Sequence, residues 1–82
     1  MKRILCDINS FAFNQCLHLV DETDHKLIHT TFDELAPTIA ELVQNADIEH
    51  VLLNGPMAET IDYELKYELG NTYNLIKVEV VK

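Results

Sequence analysis

One short apolar run, Arg3-Ile4-Leu5-Cys6-Asp7-Ile8, constrains the fold of this chain more than any other segment. A run so nearly continuous in apolar residues reads as a strand buried on both faces, and such a strand belongs at the centre of a sheet. Asn9-Ser10-Phe11 then reads as a turn, and Ala12 to Val20 as a second strand. In that strand Phe13, Leu17 and Leu19 share one parity and Asn14, Cys16 and His18 the other, so one face is the more apolar. Asp21 to His25 is a polar turn, and Lys26 to Thr30 returns as a third strand. Centring this hairpin between Thr23 and Asp24 sets Asp21 against Lys26, Val20 against Leu27 and His18 against His29.

Helical spacing follows. Leu35, Ile39, Leu42, Val43 and Ala46 recur as one buried stripe. Thr31-Phe32-Asp33-Glu34 matches a capping box, but Pro37 favours a turn through Phe32 to Leu35 and a regular helix from near Pro37, ending around Asn45 to Asp47. His50-Val51-Leu52-Leu53-Asn54 reads as a buried fourth strand, and Gly55-Pro56 turns into a second helix with Ala58, Ile61, Leu65 and Leu69 as its core stripe. Gly70-Asn71 stops that helix, and Tyr73 to Val81 reads as a fifth strand, its mixed second face suiting an edge. The expected architecture is α/β: one domain over residues 1–82 with order βββαβαβ and a five-stranded mixed sheet carrying two helices.

Composition limits what such a domain does. Fourteen acids against six bases give a net charge of −8, which argues against direct nucleic-acid binding through phosphate neutralisation. Apolar residues at 48% suit a folded chain. No apolar run approaches a membrane span of roughly 18 residues. Asp7 falls where a signal peptide would still be apolar, so no membrane contact and a cytoplasmic location are expected. Cys6 and Cys16 are too few for a disulfide scaffold and form no C-x-x-C pair.

The element order, together with the acid Asp7 in the first strand, resembles the ribonuclease H-like fold of ribonucleases H, Holliday-junction resolvases, transposases and actin-like ATPase subdomains. The resemblance covers nearly the whole chain in topology. In nucleases of this fold a first-strand Asp binds catalytic Mg²⁺, and by position that residue is Asp7. The resolvase branch places a second carboxylate at the end of the fourth strand, where this chain has the amide Asn54, a poor substitute for a charged oxygen ligand. A ribonuclease H-type helical acid would be Glu34 or Glu41, neither in a motif, and the chain reaches its fifth strand without the later acidic helix of the nucleases. Asp7-Ile8-Asn9-Ser10 is similar to the Asp-x-Gly phosphate loop of the actin-like branch, with Asn9 in place of the glycine. The resemblance with these departures implies a noncatalytic member with no cofactor.

Several side chains stand out. Asp7, an acid in an apolar strand, must be paired, solvated or cation-bound; the simplest reading has it end the strand and accept N–H bonds from the Asn9-Ser10 turn. His18 and His29, if opposed, would offer two metal ligands, but no third falls beside them by pattern, and ordinary surface histidines are the preferred reading. Cys6 and Cys16 meet only in one hairpin register and otherwise lie on opposite faces. Tyr63 and Tyr67 lie one turn apart, opposite the buried stripe, among Glu59, Asp62, Glu64, Lys66 and Glu68, the pattern of a partner-binding face with aromatic anchors and guiding charges.

The expectation is a small noncatalytic accessory or adaptor protein of the phage or mobile-element kind. It would act through protein contacts or self-association, using Tyr63, Tyr67, Glu59, Glu64 and Lys66, or the edge strand from Tyr73. Two other readings stay open. The acids imitate a phosphate array and inhibit a nuclease or another DNA-binding enzyme, or an oligomer assembles an Mg²⁺-dependent nuclease around Asp7.

Overall fold

A computed structural model describes residues 2–8, 15–21 and 23–81. Five strands form one sheet: β1 Lys2–Asp7, β2 Gln15–Val20, β3 His25–Thr30, β4 Ile48–Asn54 and β5 Lys77–Val81. Two helices, α1 Leu35–Asn45 and α2 Ala58–Leu69, join the last three strands, each next to a 3-10 turn, Phe32–Glu34 before α1 and Gly70–Leu75 after α2. The sheet order is β3-β2-β1-β4-β5, antiparallel on the β2 side of β1 and parallel on the β4 side. The α/β class and the mixed five-stranded topology are those expected from sequence. The expected turn over Asn9 to Phe11 and the start of the second strand at Ala12 lie outside the described residues.

Helical periodicity places the core. On α2 the buried residues are Ala58, Ile61, Leu65 and Leu69, the stripe read from spacing. On α1 they are Leu35, Ala36, Ile39, Ala40 and Val43, with Leu42 and Ala46 partly buried beside them. These side chains close over Ile4, Cys6, Leu17, Val51 and Leu53 of the sheet in a single cluster. Burying one such Leu or Ile stabilises the domain by about 1.5–3 kcal/mol. Asp47, at φ 58°, ends α1 in the left-handed conformation that Asp tolerates better than most residues.

Three expectations need correction. The α-helix starts at Leu35 rather than near Pro37, because a proline anywhere in the first turn sacrifices no intrahelical hydrogen bond. The final strand starts at Lys77: Tyr73 and Leu75 belong to the 3-10 turn, where the Tyr73 hydroxyl donates to Asp62 on α2 at 2.6 Å. β1 is central but not buried on both faces, since Arg3 and Asp7 are exposed and Leu5 is half-buried.

The reason is handedness. β3 to α1 to β4 and β4 to α2 to β5 step the same way across the sheet, and right-handed crossovers in one direction set both helices on one side. No described helix covers the other. Among the described residues no helix is long and apolar enough to cross a membrane.

Candidate functional site

The stripe that docks α2 turns its opposite side to solvent, and there Tyr63 is 76% and Tyr67 86% exposed. Rings left so open gain nothing from the chain's own core. Beside them α1 and the turn before it form the far wall of a groove of about 280 Å³, lined by Tyr63, Tyr67, Glu64, Glu68, Asp33, Ala36 and Pro37. Its lining therefore carries three carboxylates, two phenol rings and no base. Sequence reasoning supplied both tyrosines, Glu64 and Glu68 but missed Asp33, Ala36 and Pro37. Their contribution depends on the packing of α1 against α2, which no local spacing reveals.

Other members of the expected face are arranged differently. Lys66 is drawn to the opposite flank, 3.9 Å from Asp62 and 5.6 Å from the centre of the Tyr73 ring. It helps tie the 3-10 turn to α2 and does not line the groove. Glu59 is exposed in the first turn of α2, outside the groove lining, and has interactions of its own. The Tyr73 phenol is pushed up to about 12 by burial and then by the Asp62 carboxylate that accepts its proton in a hydrogen bond.

At the far end of β1, Asp7 is registered beside Asn54 of β4, and the Asn54 amide donates to Asp7 Oδ1 at 2.9 Å. One carboxylate and one amide whose N–H is spent on that carboxylate do not fit the hard-oxygen cage that Mg²⁺ takes. Among the described residues no three His, Cys, Asp or Glu side chains gather as a metal site. The expected contact of Asp7 with Asn9 and Ser10 lies outside the described residues.

His18 and His29 are not opposed. The hairpin closes with backbone hydrogen bonds between Asp21 and Asp24, pairing His18 with Leu27 and Cys16 with His29. The even shift preserves which side each residue faces but changes its neighbours, so His18 stacks on His25 instead, Nδ1 to Nε2 at 2.9 Å. Cys6 pairs with Leu17 and Cys16 with Asp7, which sets the two thiols on opposite faces. The Cys6 thiol is pushed up to about 12 by burial and by the adjacent Asp7 charge, leaving it an inert core group.

No protein-family model matches this chain, and neither does any curated protein.

Proposed function

We propose that this protein is a noncatalytic binding module whose acidic, tyrosine-lined groove between α1 and α2 takes a basic segment of a protein partner. The observation that carries the reading is the pair of exposed rings beside Asp33, Glu64 and Glu68. A guanidinium or ammonium group laid on a tyrosine face gains a cation–π contact of about 0.5–2 kcal/mol, and the surrounding carboxylates draw it in. Asn54 beside Asp7, in place of a second acid, supports the noncatalytic side of the reading. The strand order β3-β2-β1-β4-β5 supports a ribonuclease H-like fold with its catalytic site reduced.

A labelled arginine-rich peptide is the direct probe. Wild-type protein binds it, and Tyr63→Ala with Tyr67→Ala lowers affinity about tenfold, as loss of two partial cation–π contacts requires. Equal binding by both proteins refutes the groove. Raising the salt separates this contact from phosphate mimicry: an aromatic-anchored complex weakens less than a purely ionic one.

A further inference from the structure

Strand alternation gives the sheet face that no described helix covers a definite chemistry. With Ile4 and Cys6 turned into the core, Arg3, Leu5 and Asp7 of β1 point the other way. Arg3 is flanked in register by Val20 and His50, Leu5 by His18 and Leu52, and Asp7 by Cys16 and Asn54. The next strands extend these rows with His25, Leu27 and His29 on one side and Lys77, Glu79 and Val81 on the other. The middle row runs Leu27, His18, Leu5, Leu52 and Glu79, apolar at its centre and at the Leu27 end, where the side chain is 52% exposed. Leu5, Leu52 and Leu27 find no core on this side, yet all three stand in a single line.

The face is also set apart by charge. Its registered positions hold Arg3 and Lys77 against Asp7 and Glu79, a balance of zero with neutral histidines, on a chain whose net charge is −8. Two copies of so acidic a chain repel one another over most approaches. This neutral face is where they meet without that cost, and a basic partner has less reason to choose it than the acidic groove.

We propose that this face pairs two copies of the chain about a twofold axis lying across the strands along the middle row. Such an axis lays β1 antiparallel over its copy. Leu5 sits on its own counterpart, as do Leu52, His18 and Leu27. Glu79 at the row's end also meets its counterpart, each carboxylate held by Lys77 of its own chain at 2.8 Å. Because Arg3 and Asp7 stand two residues either side of Leu5, each Arg3 falls opposite the other copy's Asp7. Sheets packed face to face hold their strands within about 30° of alignment, so the central strands keep this match even as the outer ones diverge. Three rows by five strands span roughly 20 by 24 Å. The two copies together then bury about 1,000 Å², the lower limit for a specific interface, and a weak, concentration-dependent dimer is expected.

Sedimentation equilibrium on the full chain across a concentration series, with circular dichroism as the fold check, tests this. Wild type dimerises, and Arg3→Asp lowers the association constant by about tenfold or more, because both symmetric pairs become like-charged. The swap Arg3→Asp with Asp7→Arg restores association to near the wild-type constant, a rescue that a merely unfolded variant never shows. Leu27→Arg, at an exposed position needing no refolding, also weakens the dimer, while Tyr63→Ala with Tyr67→Ala leaves it intact. A monomer at all concentrations, a dimer insensitive to Arg3→Asp, or one lost with the tyrosines overturns the proposal. Peptide binding to the groove survives all the sheet variants, so the two surfaces fail independently.

Discussion

Gly55 joins the two halves of the parallel sheet, and replacing it with Ala tests that junction. Its φ of 123° lies outside the regions L residues occupy comfortably, and a Cβ there would overlap the Ile8 carbonyl oxygen, with the carbonyl carbon only 3.0 Å away. The same segment carries the Ile8 N–H to Asn54 O bond at 2.7 Å and the Gly55 N–H to Val81 O bond at 3.1 Å. An L residue forced into this backbone conformation costs about 1–3 kcal/mol. Moving the chain off Ile8 weakens both hydrogen bonds, each worth about 1 kcal/mol net, for a total near 3–5 kcal/mol. A domain of 82 residues has roughly 4–12 kcal/mol of stability to lose. With a urea slope of about 1 kcal/mol/M, the unfolding midpoint falls by about 3–5 M, or the protein does not fold. Gly70→Ala is the control: φ is 57°, also unfavourable for Ala, but no atom lies within 4 Å of the added Cβ. It carries the conformational cost of about 1–3 kcal/mol alone. A Gly55→Ala protein no less stable than Gly70→Ala refutes the steric argument.

Thiol labelling at mild alkaline pH modifies half-exposed Cys16 readily and Cys6 only after denaturation, since burial holds the Cys6 proton to about 12; equal labelling rates contradict that placement. Titration of phenolate absorbance finds the Tyr73 transition near 12, well above the ordinary tyrosine value of about 10. Because the folded value is raised, the stabilisation is complete below about pH 10 and disappears as pH rises through about 12, where the folded phenol also ionises. Tyr73→Phe costs about 0.5–1 kcal/mol near neutral pH, a modest value because solvent screens the contact with Asp62, and a chemical denaturation curve that does not move contradicts the tether.

How much of the molecule was legible depends on the range of the interaction concerned. The α2 stripe and the exposure of Tyr63 and Tyr67 follow from a period of 3.6 and need only the helix itself. The groove beside them needs Asp33 and Pro37, brought in by a second element, so its acidity was visible in the sequence only on one wall. The β2–β3 register failed for a related reason. An Asp21–Lys26 pair is worth a few tenths of a kcal/mol, whereas the tight closure between Asp21 and Asp24 makes two backbone bonds. Tyr73 and Leu75 had strand parity, yet Leu75 is 81% exposed and Tyr73 is held by Asp62, a contact across the helix end that alternation cannot signal.

The most instructive misreading concerns β1. Its apolar run suggested cover on both faces, but the element order already opposed this, because two same-direction right-handed crossovers leave one face without a helix. Apolar content and topology therefore disagree at Leu5, and the disagreement recurs at Leu52 and Leu27, the positions in register with it or one strand further out. A solvated sheet face ordinarily alternates to polar residues, and on this sheet the rows either side of that line are mostly polar, with Arg3, His50 and Lys77 beside Val20 on one flank and Asp7 and Asn54 beside Cys16 and Val81 on the other. The leucines are thus confined to the one row that a twofold axis would superpose on itself. Glu79 on that axis is paired with Lys77 of its own strand, whereas Arg3 and Asp7 on either side of it gain opposite partners across it, a relation that neither folding of the single chain nor solubility requires.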